Sequence, residues 1–129
     1  MAAAVRALVT VALGGALGSL GRYGLTEAMT ALFGASFPWG TILVNVTGSA
    51  LIGAFAAGLV PERVMSTSLV RELLVIGLCG GYTTFSSFSL QTIALLQAGQ
   101  PARAAANVLL SVVLCLAATY AGYELVRAA

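Results

Sequence analysis

The chain has 129 residues, of which 60% are hydrophobic and only 8% charged. A soluble domain carries roughly a quarter charged residues, so this composition excludes an apolar core clothed in polar surface and predicts an all-α membrane protein, one domain over residues 1–129. The net charge is +2, the six basic residues are single arginines, and histidine is absent. No basic cluster offers a nucleic-acid footprint, and the commonest acid–base catalyst and metal ligand is missing.

Four apolar stretches approach the roughly 20 residues that a bilayer demands. The first runs from about Ala7 to Leu25. Its arginine, apolar run and small residues resemble a secretory signal, yet three further spans follow with no sizeable soluble part to export. A retained helix is expected. Gly14, Gly18 and Gly21 recur on it at helical spacing, a face that lets backbones approach closely in lipid.

After "FGASFP" the second stretch runs from about Pro38 to Val60. Ser49, Gly53 and Ala57 form another small-residue face. Thr41, Asn45 and Gly48, at i, i+4 and i+7, share a polar one. Asn45 also opens "NVT", a nominal glycosylation sequon that a membrane span makes unreachable.

After "PERVMSTS" the third stretch covers about Leu69 to Leu96 and is uncharged from Leu73. "CGGYTT" (79–84) predicts a break in this helix near mid-span. Irregular backbone at that depth is tolerated only within protein or around an enclosed ion or water, and freed carbonyls suit a cation. A glycine kink for close helix packing is the simpler alternative. Beyond the break, a rotation of about 100° per residue places Phe85, Phe88, Ser89 and Thr92 on one side, with Ser86 flanking. The fourth stretch, after "QAGQP", runs from about Ala104 to Tyr123 and carries Asn107 and Ser111 four residues apart. Trp39, Tyr120 and Tyr123 fall near span ends, where amphipathic rings settle at the headgroups. Cys79 and Cys115 lie in apolar runs and are read as buried free thiols.

Three helices thus carry polar stripes. Each hydroxyl taken singly can bond back to its own helix, but an amide without partners in hydrocarbon costs several kcal/mol. Either the stripes satisfy one another or they line a path. Glu27, Glu62, Glu72 and Glu124 all lie near span ends or in connectors, which argues against a proton-coupled pump. Hydroxyls and amide N–H groups donate hydrogen bonds without net charge, and aromatic edges carry partial positive charge. Several moderate donors in sequence would let a small anion shed water and still leave.

With four crossings, Arg6, Arg63, Arg71 and Arg127 share one side, against Arg103 and Arg22. The bias is weak under the positive-inside rule. Insertion in both orientations, with pairing of opposed copies, and a weak preference for one orientation both stay open on composition.

"GGALGSLGRYG" (14–24), "GTILVNVTGS" (40–49) and "GLCGGYTTFSSFS" (77–89) resemble the small fluoride channels of the Fluc or CrcB family. The resemblance covers most of the chain, with the fourth helix least distinctive. It implies an antiparallel, dual-topology homodimer in a bacterial inner membrane, with two fluoride pores and a central structural sodium ion. It also implies passive, electrodiffusive export of fluoride; an enzyme is not expected, since no nucleophile–base pair is evident. By motif, Asn45 matches the pore asparagine, and Phe85 and Phe88 match the paired pore phenylalanines. Gly80 and Thr83 match the positions whose backbone carbonyls hold the sodium. Thr41 and Ser111 match polar positions toward the pore ends, while Ser86, Ser87 and Ser89 belong to or flank the hydroxyl track. Arg22 matches the arginine after the first glycine motif; without the family it reads as a snorkelling arginine. Asn107 stands where some relatives carry tyrosine. A dual-topology multidrug or cation exporter would want a membrane-embedded glutamate. A potassium pore would want a longer carbonyl filter, and a structural subunit leaves the three polar stripes without a role.

Overall fold

The computed structural model describes residues 1–129, the side chain of Ser68 excepted. Among the described residues there are helices and no strands. Four helical segments are long and apolar enough to cross a membrane: Ala2–Phe33, Trp39–Ala56, Leu69–Gln97 and Pro101–Arg127.

The first, α1 (Ala2–Phe33), exceeds the expected apolar stretch at both ends. Arg22 and Glu27 do not stop it, because "TEAMTALF" is dominated by good helix formers. It ends where Gly34 takes φ 76°, a conformation that glycine alone adopts freely. Its 32 residues span about 48 Å at 1.5 Å each, so α1 must tilt or project beyond a hydrocarbon core of about 30 Å. The second, α2 (Trp39–Ala56), stops four residues short of Val60, just before Gly58 at φ 100°. Two single-turn helices, α3 (Glu62–Met65) and α4 (Ser68–Arg71), form the second connector. The fourth span, α7 (Pro101–Arg127), opens with proline in its first turn, where the missing N–H costs nothing.

The third span breaks within "CGGYTT", as expected, though on its threonines rather than its glycines. From α4 it passes into a π-helical stretch, Glu72–Cys79, then α5 (Gly80–Tyr82), and resumes as α6 (Phe85–Gln97). Gly80 and Gly81 are helical; the break falls on Thr83 (φ −79°, ψ 158°) and Thr84 (φ −152°, ψ 115°).

The glycines serve approach instead. A Cβ on Gly14 would strike the Leu73 carbonyl, and one on Gly18 the Leu78 carbonyl and Tyr82 nitrogen. A Cβ on Gly81 would sit 2.8 Å from Gly15 Cα. On the far side, Gly53 packs against Thr119 of α7 and Gly122 against Ala50 of α2. Two backbone-to-backbone contacts therefore set the bundle: α1 against the first half of the third span, and α2 against α7. Gly21 takes no part in such an approach, since a Cβ there would meet the Tyr82 ring at an ordinary 3.5 Å. The core is correspondingly thin, with Val44 and Asn107 the only large side chains fully buried among the described residues. In a membrane chain the exposed leucines and valines face lipid, so their exposure carries no penalty.

Candidate functional site

Where the third span breaks, the backbone loses helical partners and the side chains supply others. The Thr84 N–H, which in a continuous helix would go to the Gly80 carbonyl, donates to Asn45 Oδ1 at 2.8 Å. Asn45 Nδ2 in return donates to the Thr84 carbonyl at 3.0 Å. The Ser87 N–H, helical partner of the Thr83 carbonyl, donates instead to Thr84 Oγ1 at 3.1 Å. Thr84 is thus the N-cap of α6, satisfying a donor that a helix start leaves orphaned. The carbonyls of Gly80 and Thr83 have both lost the donors that helix continuity would give them.

Thr84 is buried, and its hydroxyl also donates to Ser87 Oγ at 3.1 Å and lies 3.2 Å from Ser86 Oγ. Behind the break, the Tyr82 hydroxyl lies 2.9 Å from Thr47 Oγ1 on α2. The Thr83 hydroxyl folds back and donates to the Cys79 carbonyl at 3.0 Å, so it is already engaged.

A cavity of about 530 Å³ opens at this break, and its lining brings together Asn45, Gly80, Thr83, Phe85, Phe88 and Ser111. No aspartate, glutamate, lysine or arginine lines it. The Phe85 and Phe88 rings lie 5.1 Å apart between centroids, tilted by 52°, within the range in which an edge of one meets the face of the other. Their exposures differ sharply: Phe88 is 8% exposed and Phe85 76%. Phe88 is therefore held by the chain's own packing, while Phe85 stands at an open side of the cavity. Cys79 and Cys115 line the same cavity as free thiols; Cys115 is only half-buried, against the expectation of full burial.

The remaining candidates divide. Thr41 is buried one helical turn before Asn45 but lines a second cavity of about 390 Å³, with Thr26, Thr30, Ser36 and Gln91. Ser86 and Ser87 belong to the Thr84 cap network. Ser89 donates to the Phe85 carbonyl at 2.9 Å, and Thr92 to the Phe88 carbonyl at 2.8 Å, each along its own helix. Arg22 is half-buried on α1 and lines neither cavity.

Two further polar residues are tied into the site by hydrogen bonds. Asn107 is 0% exposed; it donates to Thr92 Oγ1 at 2.9 Å and accepts from Ser111 Oγ at 3.5 Å. It ties α6 to α7 and orients Ser111 toward the cavity's side of α7. Thr84 is the second, and it alone was not singled out from the sequence, although a threonine just before a helical run is an N-cap signal.

A family model described as "CrcB-like protein, Camphor Resistance (CrcB)" matches residues 9–123. The chain belongs to the CrcB family. Among its relatives, the "Fluoride-specific ion channel FluC" of Rhodospirillum rubrum is 54% identical over 114 residues, covering 88% of each chain. Proteins of the same name from Opitutus terrae and Nitrobacter winogradskyi are each 50% identical. They cover 88% and 93% of this chain, and 86% and 94% of their own lengths. Four apolar spans and CrcB membership together make this a multi-pass membrane protein.

Proposed function

We propose that this CrcB chain is a fluoride-selective channel that lets cytoplasmic fluoride leave passively, without catalysis. The observation that carries the reading is the uncharged cavity at the break, where Asn45, Phe85, Phe88 and Ser111 converge. Fluoride holds its water tightly, so a conducting site must replace that water with donors. Asn45 has two amide hydrogens, and the Thr84 carbonyl takes one; the other is available to an anion. Ring edges of Phe85 and Phe88 add partial positive charge, and the Ser111 hydroxyl adds a rotatable donor. A full positive charge in the lining would trap the ion, whereas moderate donors in series permit exit. The fluoride channel name shared by relatives at about half identity supports the same assignment.

The conducting unit in this reading is an antiparallel homodimer with two pores. An exposed Phe85 on an open cavity supports it, because a second copy would complete the wall. A structural sodium ion fits the same break. The Gly80 and Thr83 carbonyls are hard oxygen ligands relieved of their helical donors, the kind of unwound backbone that coordinates sodium in membrane proteins. Two carbonyls from each of two chains would hold it, and its charge would offset anions nearby. The reading places the dimer in a bacterial inner membrane, with Thr41, Ser86, Ser87, Ser89 and Arg22 along or near the ion's route.

Purified protein in liposomes, with potassium clamped by an ionophore, tests the class. Fluoride efflux with little chloride efflux is expected; proton-coupled export of organic cations would replace this reading.

A further inference from the structure

We infer that Thr84 is a positioning residue that keeps the Gly80 and Thr83 carbonyls available to a cation by withholding both of their helical donors. The inference deepens the sodium reading above and rests on it. In a continuous helix the Gly80 carbonyl would take the Thr84 N–H and the Thr83 carbonyl the Ser87 N–H. The first N–H is held by Asn45 Oδ1 at 2.8 Å, the second by Thr84 Oγ1 at 3.1 Å. One residue therefore sits on both diversions: its main chain is clamped from two sides by Asn45, and its side chain captures Ser87.

The clamp also has a consequence for the anion. Asn45 is fixed through Thr84, so the amide that faces the cavity and the carbonyls that face the cation are set by the same residue. Thr84 touches neither ion in this assignment. It acts through Asn45 on one side and through carbonyl release on the other. Without its Oγ1, the Ser87 N–H is free to return to the Thr83 carbonyl, and α6 can extend backwards by one residue.

The test compares Thr84→Val with Thr84→Ser in purified, detergent-solubilised dimer. Val keeps the shape and removes the oxygen; Ser keeps the oxygen. The readouts are the sodium concentration that half-saturates the thermal stabilisation of the protein, and the hydrogen exchange of the Ser87 amide. Thr84→Val is expected to raise that concentration roughly tenfold, as one neutral hydrogen bond's worth of preorganisation would. It should also change Ser87 exchange, while Thr84→Ser stays near wild type. A residue that merely stabilises the fold would lower the melting temperature equally at every sodium concentration. A sodium-stabilised wild type with an unshifted Thr84→Val, or a Thr84→Ser that behaves like Val, overturns the role of Thr84 alone. A wild type with no sodium dependence overturns the cation reading and this inference with it. Thr84→Ala removes the same oxygen with less bulk if Thr84→Val does not assemble. If neither assembles, recovery at raised sodium supports the assignment and failure at every sodium concentration overturns it.

Discussion

Phe88→Ile separates packing from ion contact at the cavity. Phe88 is 8% exposed and pairs with Phe85 at 5.1 Å, so truncation to alanine would open a void and confound the result. Isoleucine keeps apolar bulk; hydrophobic swaps that roughly conserve volume cost under about 1.5 kcal/mol, and the lost ring pair about 0.5–1.5 kcal/mol. The dimer should survive. For the ion the loss is of another kind, because an aliphatic side chain has no electropositive edge. A weak C–H contact is worth about 0.5–1 kcal/mol, and about 1.4 kcal/mol changes a rate tenfold. Two or more edge hydrogens meeting a poorly hydrated anion put the expected slowing at several-fold to roughly tenfold. Fluoride efflux from liposomes, beside gel-filtration profiles in detergent, measures both effects on one preparation. Wild-type efflux from a folded Phe88→Ile protein would show that the ring is packing only and remove it from the path.

Asn45→Asp replaces the donor to the Thr84 carbonyl with a second acceptor and adds repulsion toward the anion. Efflux should fall at least tenfold, since a lost buried donor alone costs about 1–3 kcal/mol, and wild-type flux would refute the assignment. Asn107→Leu removes the Thr92 link and the acceptor that orients Ser111. Thermal denaturation should register about 1 kcal/mol for a neutral hydrogen bond, with reduced fluoride conductance; unchanged conductance would make Asn107 purely structural. Gly18→Ala should destabilise by about 1–3 kcal/mol through overpacking, because its Cβ meets the third span's backbone, while Gly24→Ala, with no atom within 4 Å, should not. Equal melting temperatures would contradict the backbone-approach account. A single cysteine in the second connector of a protein lacking Cys79 and Cys115 should label from both membrane faces if copies insert in opposite orientations. Labelling from one face in well-expressed protein would exclude an antiparallel pair.

The parts legible in the sequence were those governed by composition and helical period. Four spans follow from apolar runs separated by Gly, Pro and Ser connectors; glycines at φ 76° and φ 100° close α1 and α2, and α1 and α7 run past the apolar count at both ends. The segment that breaks was legible as well, but not which of its residues leave the helix, for a physical reason. Glycine is read as a helix breaker because its backbone is free, yet here Gly81 meets Gly15, and both glycines of the pair stay helical.

What terminates α5 is not a weak local propensity. A competing set of hydrogen bonds arrives from 39 residues away, from Asn45 to both main-chain groups of Thr84. Helical periodicity puts Asn45 on a polar face but does not name its partner. Tertiary contacts alone supply that pairing. The same holds for Asn107: its place on a polar stripe was legible, but neither its full enclosure nor its partner, Thr92 on α6, could be named. In a bundle whose helices are nearly all apolar, one amide, that of Asn45, holds open the turn that breaks. In the proposed channel, the asparagine that holds the break is placed to meet the ion as well.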